Sequence, residues 1–274
     1  MIGYLLLTGL AAGTGYLLSK SNRIKHNVML SLVKEPDYIA TGPKVSVIIP
    51  AYMEEDYLED TLQAILNQTY APIEVIVSDS SPEESKAVTK DITERYMAKM
   101  VDSPKKNVSS GRNDGAKASS GDILIFLDAD CIMAPDFVEK LSGHLQNGAV
   151  LAHGADIFHN PVGIRNAIRL VKQYIKTPTQ TTGRGVAIWT DNFWDVGGYD
   201  EECDPIDNCR EDLDLGRRVA EKYGIHSIVL DNEAVVAESD RRPFRLSTMT
   251  WVWPERGWRK GIPVNKRLLS LPKR

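Results

Sequence analysis

Two carboxylates stand at the end of a short apolar run near the middle of the chain. Asp128 and Asp130 are separated by Ala129 and follow the apolar residues 123–127, a run short enough for a buried strand. Side chains two residues apart on a strand point the same way, so both carboxylates can face one point. Carboxylate oxygens are ligands that Mg²⁺ and Mn²⁺ prefer. The spacing indicates a divalent-cation site, although a polar turn that closes a strand would contain the same residues.

The elements that must position this pair alternate between strands and helices. Residues 45–49 and 73–77 are apolar runs that predict buried strands, and residues 55–67 between them have the spacing of an amphipathic helix. Together they predict a βαβ unit with a right-handed crossover. Open α/β sheets bind ligands beyond the carboxyl ends of their strands. We predict further helices from residue 81 and over 108–119 and 135–145, and further strands over 149–158, 186–189, 225–230 and 234–237.

The composition is that of an ordinary globular protein with an uneven distribution of charge. The 274 residues are 42% hydrophobic and 26% charged, and the net charge is −4. Cys131, Cys203 and Cys209 have no paired-ligand spacing, which predicts no disulfide framework and a reducing compartment. Residues 241–274 contain ten Lys and Arg against one acidic residue, so the preceding part of the chain is acidic.

The basic tail also contains three tryptophans, Trp251, Trp253 and Trp258. Indoles interleaved with basic residues suit the headgroup region of an anionic membrane. We therefore predict a membrane-surface tail over residues 241–274. A solvated tail is the plainer interpretation. Nucleic acid is not predicted as a partner, because no helix-turn-helix, zinc or RNA-binding signature accompanies the tail.

The amino-terminal segment is uncharged over residues 2–18 and is followed at once by Lys20, Arg23 and Lys25. Seventeen residues of helix reach ~26 Å, which is at the lower limit for spanning a bilayer. The positive charge lies behind the apolar run, unlike that of a cleaved signal peptide, and would keep the main domain cytoplasmic. We predict a single-pass membrane anchor over residues 1–20. A buried core helix or a helix lying on the membrane would have the same composition.

Four motifs follow one another in order along the chain. They are Val47-Ile48-Ile49-Pro50-Ala51-Tyr52 with Glu54, Ser110-Gly111-Arg112-Asn113-Asp114-Gly115-Ala116, Gly121-Asp122 with Leu127-Asp128-Ala129-Asp130, and Gly197-Gly198-Tyr199-Asp200 with Arg210-Glu211-Asp212-Leu213-Asp214-Leu215. Together they resemble the motifs of the inverting family 2 glycosyltransferases. The resemblance implies a GT-A-like α/β fold over residues 44–240, with a Rossmann-like nucleotide-binding half and a mixed central β-sheet flanked by helices. Residues 1–20 would be the anchor, 21–43 a connector and 241–274 the tail.

The resemblance implies a donor site for a UDP- or GDP-linked sugar with Mn²⁺ or Mg²⁺ as cofactor. Asp130 would ligate the metal directly, and Asp128 would contact the ribose or a metal-bound water. A bound cation stabilises the departing diphosphate as a Lewis acid. Glu54 could instead be a helix-cap acid, and Arg112 a surface ion pair. The implied donor-binding residues are Pro50, Ala51, Tyr52, Glu54, Asp79, Arg112, Asn113, Asp128, Ala129 and Asp130, with Asp79 at the base and Arg112 near the phosphates.

The resemblance also implies an acceptor side with its own acid groups. Inversion needs a base that is not a metal ligand, and Asp212 matches the family's catalytic position, with Glu211 beside it. The alternative is that these acids only favour the amino end of a helix. Trp194, Gly197 and Gly198 would lie on the acceptor side, where Trp194 could stack on a sugar or lipid or be an ordinary core residue.

The chain also departs from the family pattern. Ser78-Asp79-Ser80-Ser81 lacks a second acidic base contact, residues 237–240 supply no histidine as a third metal ligand, and no Gln-x-x-Arg-Trp stretch follows. We predict transfer of a single sugar to a hydroxyl or phosphate acceptor, lipid-linked, by a membrane-anchored enzyme that faces the cytoplasm. The alternatives are a sugar-phosphate nucleotidyltransferase and a non-catalytic nucleotide-sugar-binding membrane protein.

Overall fold

One mixed sheet of eight strands, flanked by helices, organises the protein. The computed structural model describes residues 2–159, 163–203 and 210–239. The strand order in the sheet is β3-β2-β1-β4-β7-β6-β8-β5. The strands are β1 Ala40–Ala51, β2 Tyr70–Asp79, β3 Lys99–Asp102, β4 Ile123–Phe126, β5 Cys131–Met133, β6 Leu151–Phe158, β7 Val186–Trp189 and β8 Ile228–Glu238.

Eight helices connect these strands in the described part of the chain, together with a short 3₁₀ turn over Ile225–Ser227. Most of them follow a strand directly, as a βαβ pattern requires. They are α1 Ile2–Leu30, α2 Leu58–Leu66, α3 Glu83–Arg95, α4 Val108–Lys117, α5 Phe137–Gln146, α6 Gly163–Ile175, α7 Thr190–Asp195 and α8 Glu211–Tyr223.

The half of the sheet that contains β3, β2, β1 and β4 is parallel. Its central strands are buried on both faces, which explains why they are continuous apolar runs in the sequence. Ala51 pairs with Asp79, and Ile48 pairs with Phe126. The carboxyl ends of β1, β2 and β4 therefore meet at one edge, and the acidic pair follows β4 there. The predicted α/β fold with a mixed sheet is confirmed.

The other half of the sheet is formed by β7, β6, β8 and β5. Here β7 runs antiparallel to both β4 and β6, β8 runs parallel to β6, and β5 runs antiparallel to β8. The two late strands predicted over 225–230 and 234–237 are one strand with an irregularity, where the Asp231 carboxylate accepts hydrogen bonds from the Glu233 and Ala234 amides. The strand continues past this bend, and Glu238 pairs with Cys131 beside the acidic pair.

The amino-terminal helix differs from the predicted membrane anchor. Among the residues that the structure describes, no helix is long and apolar enough to cross a membrane, so the spanning helix over 1–20 is not found. Helix α1 instead continues through Lys20, Arg23 and Lys25 to Leu30. Its carboxyl-terminal part packs against the domain, where Val28 is fully buried with Ala155 and neighbouring core residues. The predicted tail over 241–274 lies outside the described residues.

Two further features of the fold differ from the sequence expectations. Helix α6, between β6 and β7, was not among the predicted elements. Cys203 is disulfide-bonded, whereas Cys131 is free and buried. The sequence predicted no disulfide framework, and the single bond at Cys203 was not anticipated.

Candidate functional site

The acidic pair lies in the short turn between β4 and β5. Asp130 is only 8% exposed, and its Oδ2 accepts a hydrogen bond from the Ser239 hydroxyl at 2.5 Å. The Thr61 hydroxyl donates to the Ala129 carbonyl at 2.8 Å, and the Cys131 amide donates to the Asp128 carbonyl at 3.1 Å. These bonds fix the turn from three sides, so both carboxylates are held at the carboxyl edge of the sheet.

The side chains of this turn fit a hard divalent cation. One ligand atom each of Asp128, Asp130 and Cys131 lies within 4.8 Å of the others. Burial raises the pKa of the Cys131 thiol well above its ordinary value, and the neighbouring carboxylates raise it further. The thiol therefore stays protonated and is a poor ligand, since metals bind the thiolate. The two carboxylates remain as candidate metal ligands, with the Ser239 hydroxyl next to them. Such oxygen ligands suit Mg²⁺ or Mn²⁺.

Arg112 connects the acidic pair to the amino end of α8. Its side chain is 2% exposed, Nη2 lies 3.0 Å from Asp128 Oδ1, and Nη1 lies 3.0 Å from Glu211 Oε1. Its guanidinium carbon also lies 4.9 Å from the centre of the Tyr199 ring. Arg112 does form ion pairs, as the alternative interpretation expected, but its own side chain is buried while those of Asp128 and Glu211 are 26% and 16% exposed. The predicted contact with phosphates stays a prediction, and in this structure both ends of the guanidinium bind carboxylates.

Asp212 follows Glu211 in the first turn of α8 and is 6% exposed. Its Oδ1 accepts from the Leu213 amide at 2.8 Å, and its Oδ2 lies 3.2 Å from Arg210 Nη2. Because Glu211 and Asp128 bind the same guanidinium, the start of α8 and the acidic turn lie side by side, and we call the edge of the sheet beside them the cleft. Asp214 is oriented elsewhere and pairs with arginines on its own helix.

The carboxyl ends of β1 and β2 form the side of the cleft where the nucleotide is expected. Pro50 and Ala51 end β1 and pair with Ser78 and Asp79 of β2. The Asp79 side chain is fully buried, and its Oδ1 accepts from the Ser81 amide at 2.7 Å. Its Oδ2 has no hydrogen-bond partner among the described residues. The predicted contact of Asp79 with the nucleobase stays a prediction.

Two other predicted donor residues lie in the loop that follows β1. The ring of Tyr52 lies 5.4 Å from the Lys106 ammonium, a cation–π contact at the cleft entrance. The Glu54 carbonyl accepts from the Tyr57 and Leu58 amides, so the main chain of this residue starts helix α2. The predicted roles of both side chains in donor binding stay predictions.

Asn113 binds the acceptor-side motif. Its side-chain amide donates to the Tyr199 carbonyl at 2.9 Å and accepts from the Tyr199 amide at 2.9 Å. A Cβ at Gly198 would lie 3.0 Å from Asn113 Oδ1, and the φ angle of Gly198 is +70°, so a glycine suits the position. Gly197 precedes it with φ +89°, and Trp194 is 39% exposed and packs edge-on against Phe193. The structure thus ties Asn113 to the segment that contains Gly197 and Gly198.

A buried network of charges, absent from the sequence prediction, lies behind the acidic turn. Arg169 pairs with Asp156 at 2.6 Å and with Glu238 at 2.5 Å, and Arg184 pairs with Glu238 at 2.5 Å. The pKa of Glu238 is raised by burial, which its two arginines oppose. Arg184 lies just before β7 in Gly183-Arg184-Gly185, and no local pattern in the sequence indicated this network.

Comparison with known proteins identifies the family. The family model described as "Glycosyl transferase family 2" matches residues 46–194. An uncharacterised glycosyltransferase from Haemophilus influenzae is 35% identical over 133 residues, which cover 47% of this chain and 52% of that protein. A dolichol-phosphate mannosyltransferase from Pyrococcus furiosus is 35% identical over 115 residues, which cover 41% of this chain and 33% of that protein.

A solved structure has the same fold. A mannosyltransferase from Pyrobaculum calidifontis, in complex with GDP-Man and Mn²⁺, superposes with a TM-score of 0.57 at 19% identity and covers 94% of this chain and 70% of that protein. The chain spans 52% and 33% of the two curated relatives that it matches. The family model covers more than half of the chain, and this protein therefore belongs to glycosyl transferase family 2.

Proposed function

We propose that this protein is a metal-dependent inverting glycosyltransferase that moves one sugar from a nucleoside-diphosphate sugar to a hydroxyl or phosphate acceptor. The observation that carries this proposal is the bridge made by Arg112. One buried guanidinium binds Asp128 of the acidic turn and Glu211 of α8. The acids proposed for the donor and the acid proposed for the acceptor therefore border one cleft. We propose residues 44–240 as the catalytic unit.

On the donor side, Asp128 and Asp130 would hold the divalent cation against the donor diphosphate. When bound, the cation stabilises the negative charge of the leaving diphosphate. The buried Asp79 Oδ2 would accept a hydrogen bond from the nucleobase, and Pro50 and Ala51 would line its pocket. The Mn²⁺ and GDP-Man of the Pyrobaculum calidifontis structure support both the cation and the class of donor.

On the acceptor side, Asp212 would accept the proton of the attacking hydroxyl. The Asp212 carboxylate is separate from the metal-binding pair Asp128 and Asp130. It can therefore act on the sugar face opposite the leaving group, as inversion requires. General-base catalysis of this kind contributes ~10²–10⁴-fold to the rate. Glu211 is held by Arg112 and would position the first turn of α8. Gly197, Gly198 and Trp194 would border the acceptor.

We propose a lipid-linked acceptor and action at a membrane surface. The name of the Pyrococcus furiosus relative, a dolichol-phosphate mannosyltransferase, supports a lipid phosphate. Helix α6 supports the membrane surface, because Ile168, Val171 and Ile175 form an exposed apolar stripe on it and Lys172 is exposed beside them. A stripe of this kind with a basic neighbour suits an anionic bilayer.

The proposal is tested by thermal shift and product release with a panel of UDP- and GDP-sugars. In Mn²⁺, one nucleotide sugar should raise the melting temperature of the wild-type protein, since a ligand that binds the folded state stabilises it. EDTA and the Asp130→Asn substitution should each abolish the shift. Asp91→Asn, on the exposed face of α3, should leave it unchanged.

The same panel separates the proposed enzyme from a non-catalytic binding protein. The enzyme should release nucleoside diphosphate slowly to water and faster with an acceptor. Donor binding with no release of nucleoside diphosphate under any acceptor would overturn the catalytic proposal. A metal-independent thermal shift would overturn the role given to Asp128 and Asp130.

A further inference from the structure

A group of polar atoms without partners lies between α6 and β7. Side chains in the segment 173–184 bury polar atoms that make no hydrogen bond to any residue that the structure describes, and β6 contributes one more. Buried polar atoms are nearly always hydrogen-bonded, so a group of them indicates a place built for a ligand. The atoms are Gln173 Oε1, Lys176 Nζ, Thr182 Oγ1, Arg184 Nε and, on β6, His153 Nδ1.

Lys176 carries one of the two positive charges of this group. Burial lowers the pKa of its ammonium and the nearby Arg184 lowers it further, whereas Asp156 and Asp212 raise it. Asp156 is already occupied, since it lies 2.6 Å from Arg169 and accepts from the Gln173 amide at 2.7 Å. The Lys176 charge is therefore close to both carboxylates, and its Nζ donates to neither of them.

The chemistry of the group favours an anion. His153 Nε2 lies 2.8 Å from the Pro178 carbonyl, which can only accept, so Nε2 carries the ring proton. Burial lowers the pKa of His153 to about 3, so the ring is neutral. Lys176, Thr182 and Arg184 then offer donors, two of which belong to cations, whereas Gln173 Oε1 and His153 Nδ1 are acceptors. Charge-assisted donors such as those of Lys176 and Arg184 suit a phosphate group.

The segment is held against the proposed base. The Thr181 hydroxyl donates to the Asp212 carbonyl. Gly216 of α8 faces the same segment, and a Cβ there would lie 2.5 Å from the Thr179 carbonyl and 3.0 Å from the Thr181 side chain. The absence of a side chain at Gly216 lets the segment close on the first turns of α8. These donors, of which Arg184 Nε also lies 3.8 Å from Asp156 Oδ2, are thus on the acceptor side of the cleft.

We propose that this group is an anion subsite for the acceptor, in which Lys176 Nζ and Arg184 Nε bind a phosphate carried beside the reactive oxygen of the acceptor. The inference rests on the proposed function, because only a transferase needs an acceptor next to Asp212. The phosphate can come from a lipid phosphate or from a soluble phosphate ester, and both sources present the same group to Lys176.

The direct test measures binding of inorganic phosphate in EDTA, which removes the cation from the donor site. Titrated phosphate should raise the melting temperature of the wild-type protein saturably, relative to chloride at matched ionic strength. Lys176→Met should bind phosphate about tenfold to hundredfold more weakly, because it loses a charge-assisted hydrogen bond. Lys90→Met, on the exposed face of α3, should bind like the wild type.

Two further variants keep the test decisive. Lys176→Arg retains the charge and should retain phosphate binding. Without phosphate, Lys176→Met should be at least as stable as the wild type, since it removes a buried charge that has no hydrogen-bond partner. Equal phosphate affinity in the wild type and Lys176→Met, or no phosphate effect on the wild type, would overturn the subsite.

The source of the phosphate is distinguished by comparing decyl phosphate with glycerol phosphate. Tighter binding of decyl phosphate points to a lipid acceptor, and equal binding points to a soluble phosphate ester. Either result supports the subsite if Lys176→Met abolishes binding of both phosphate esters. This test is independent of the nucleotide-sugar panel. A protein that binds phosphate at Lys176 but no nucleotide sugar would refute the proposed transferase and leave the anion site standing.

Discussion

Asp212 occupies the first turn of α8 with one carboxylate oxygen on the Leu213 amide and the other near Arg210. Asparagine keeps the shape of the side chain and the oxygen that accepts from the Leu213 amide, but it cannot act as a base. We expect Asp212→Asn to keep donor binding in the thermal-shift assay and to lose ~10²–10⁴-fold in turnover. Glu221→Gln, exposed near the other end of the helix, is the matched control. Turnover close to that of the control would refute the assignment of the base.

Gly183 faces the guanidinium that joins the two sides of the cleft. A Cβ at this position would overlap the Arg112 side chain, which is buried and bound at both ends and cannot retreat. We expect Gly183→Ala to destabilise the fold by ~1–3 kcal/mol through overpacking and to reduce turnover by moving Asp128 relative to Glu211. Urea unfolding and steady-state kinetics measure the two effects.

A second glycine supplies the control for this prediction. Gly143 lies within α5, and a Cβ added there would point into open space, with no atom beyond its own helix backbone within 4 Å. Gly143→Ala should therefore raise stability by up to ~1 kcal/mol and leave turnover unchanged. Similar behaviour of the two variants would show that the contact between Gly183 and Arg112 does not constrain the site.

The sequence predicted some residues of the site and could not predict others. Asp128 and Asp130 were visible because two acids at strand spacing follow an apolar run, a signal contained in ten residues. Ser239 and Arg184 could not be predicted from the sequence. They come close to the acidic turn only because β8 pairs with β5 and β7 pairs with β4. Such long-range pairings leave no local pattern in the sequence.

At the scale of the elements, Glu74 joins β1, β2 and the residues just before β4. On β2, its carboxylate accepts from Lys44 Nζ at 2.8 Å, from the Ser46 hydroxyl of β1 at 2.5 Å and from the Ser120 amide at 2.6 Å, just before β4. Burial alone would raise the pKa of Glu74, but these hydrogen bonds lower it from 4.5 to about 2. The ionised carboxylate therefore stabilises the parallel half of the sheet.

This pKa predicts a specific acid sensitivity. The folded pKa lies below the ordinary value, so the stabilisation is complete above about pH 4.5 and is lost as the pH falls towards about 2. Glu74→Gln should lower the free energy of unfolding at neutral pH by ~1–3 kcal/mol and flatten its decline in acid. Glu83→Gln is the control, because Glu83 is 94% exposed. Parallel pH profiles for the wild type and Glu74→Gln, measured by urea unfolding, would contradict the role of Glu74.

The elements themselves were predictable where the sequence contains a complete local pattern. The parallel strands were predictable, since strands buried on both faces are short, mostly apolar runs, here residues 45–49, 73–77 and 123–127, interrupted only by Ser46 and Glu74. Helix α6 was not predicted, and β8 was divided in two at Asp231, whose carboxylate binds the next amides and bends the strand without ending it. The end of α1 was missed because its charged residues resemble a connector, although Val28 is buried against the domain.

At the scale of the whole molecule, the exposed stripe of α6 lies next to the proposed anion subsite. Ile168, Val171 and Ile175 are 43%, 46% and 76% exposed and recur at helical spacing on one face. The helix ends one residue before Lys176. A membrane beneath this stripe would place lipid headgroups at the mouth of the subsite, so that a lipid phosphate need not leave the bilayer to reach Lys176.

This geometry predicts vesicle binding that depends on α6. Replacing Ile168, Val171 and Ile175 with Ser should weaken binding to vesicles of phosphatidylglycerol and phosphatidylcholine by about tenfold or more, since each side chain loses apolar area that the bilayer would bury. Flotation measures the bound fraction. Replacing Val88 and Met97 with Ser removes side chains that are 47% and 88% exposed and should have no effect. If both variants float like the wild type, α6 is not the membrane face, and the acceptor phosphate must reach Lys176 from solution.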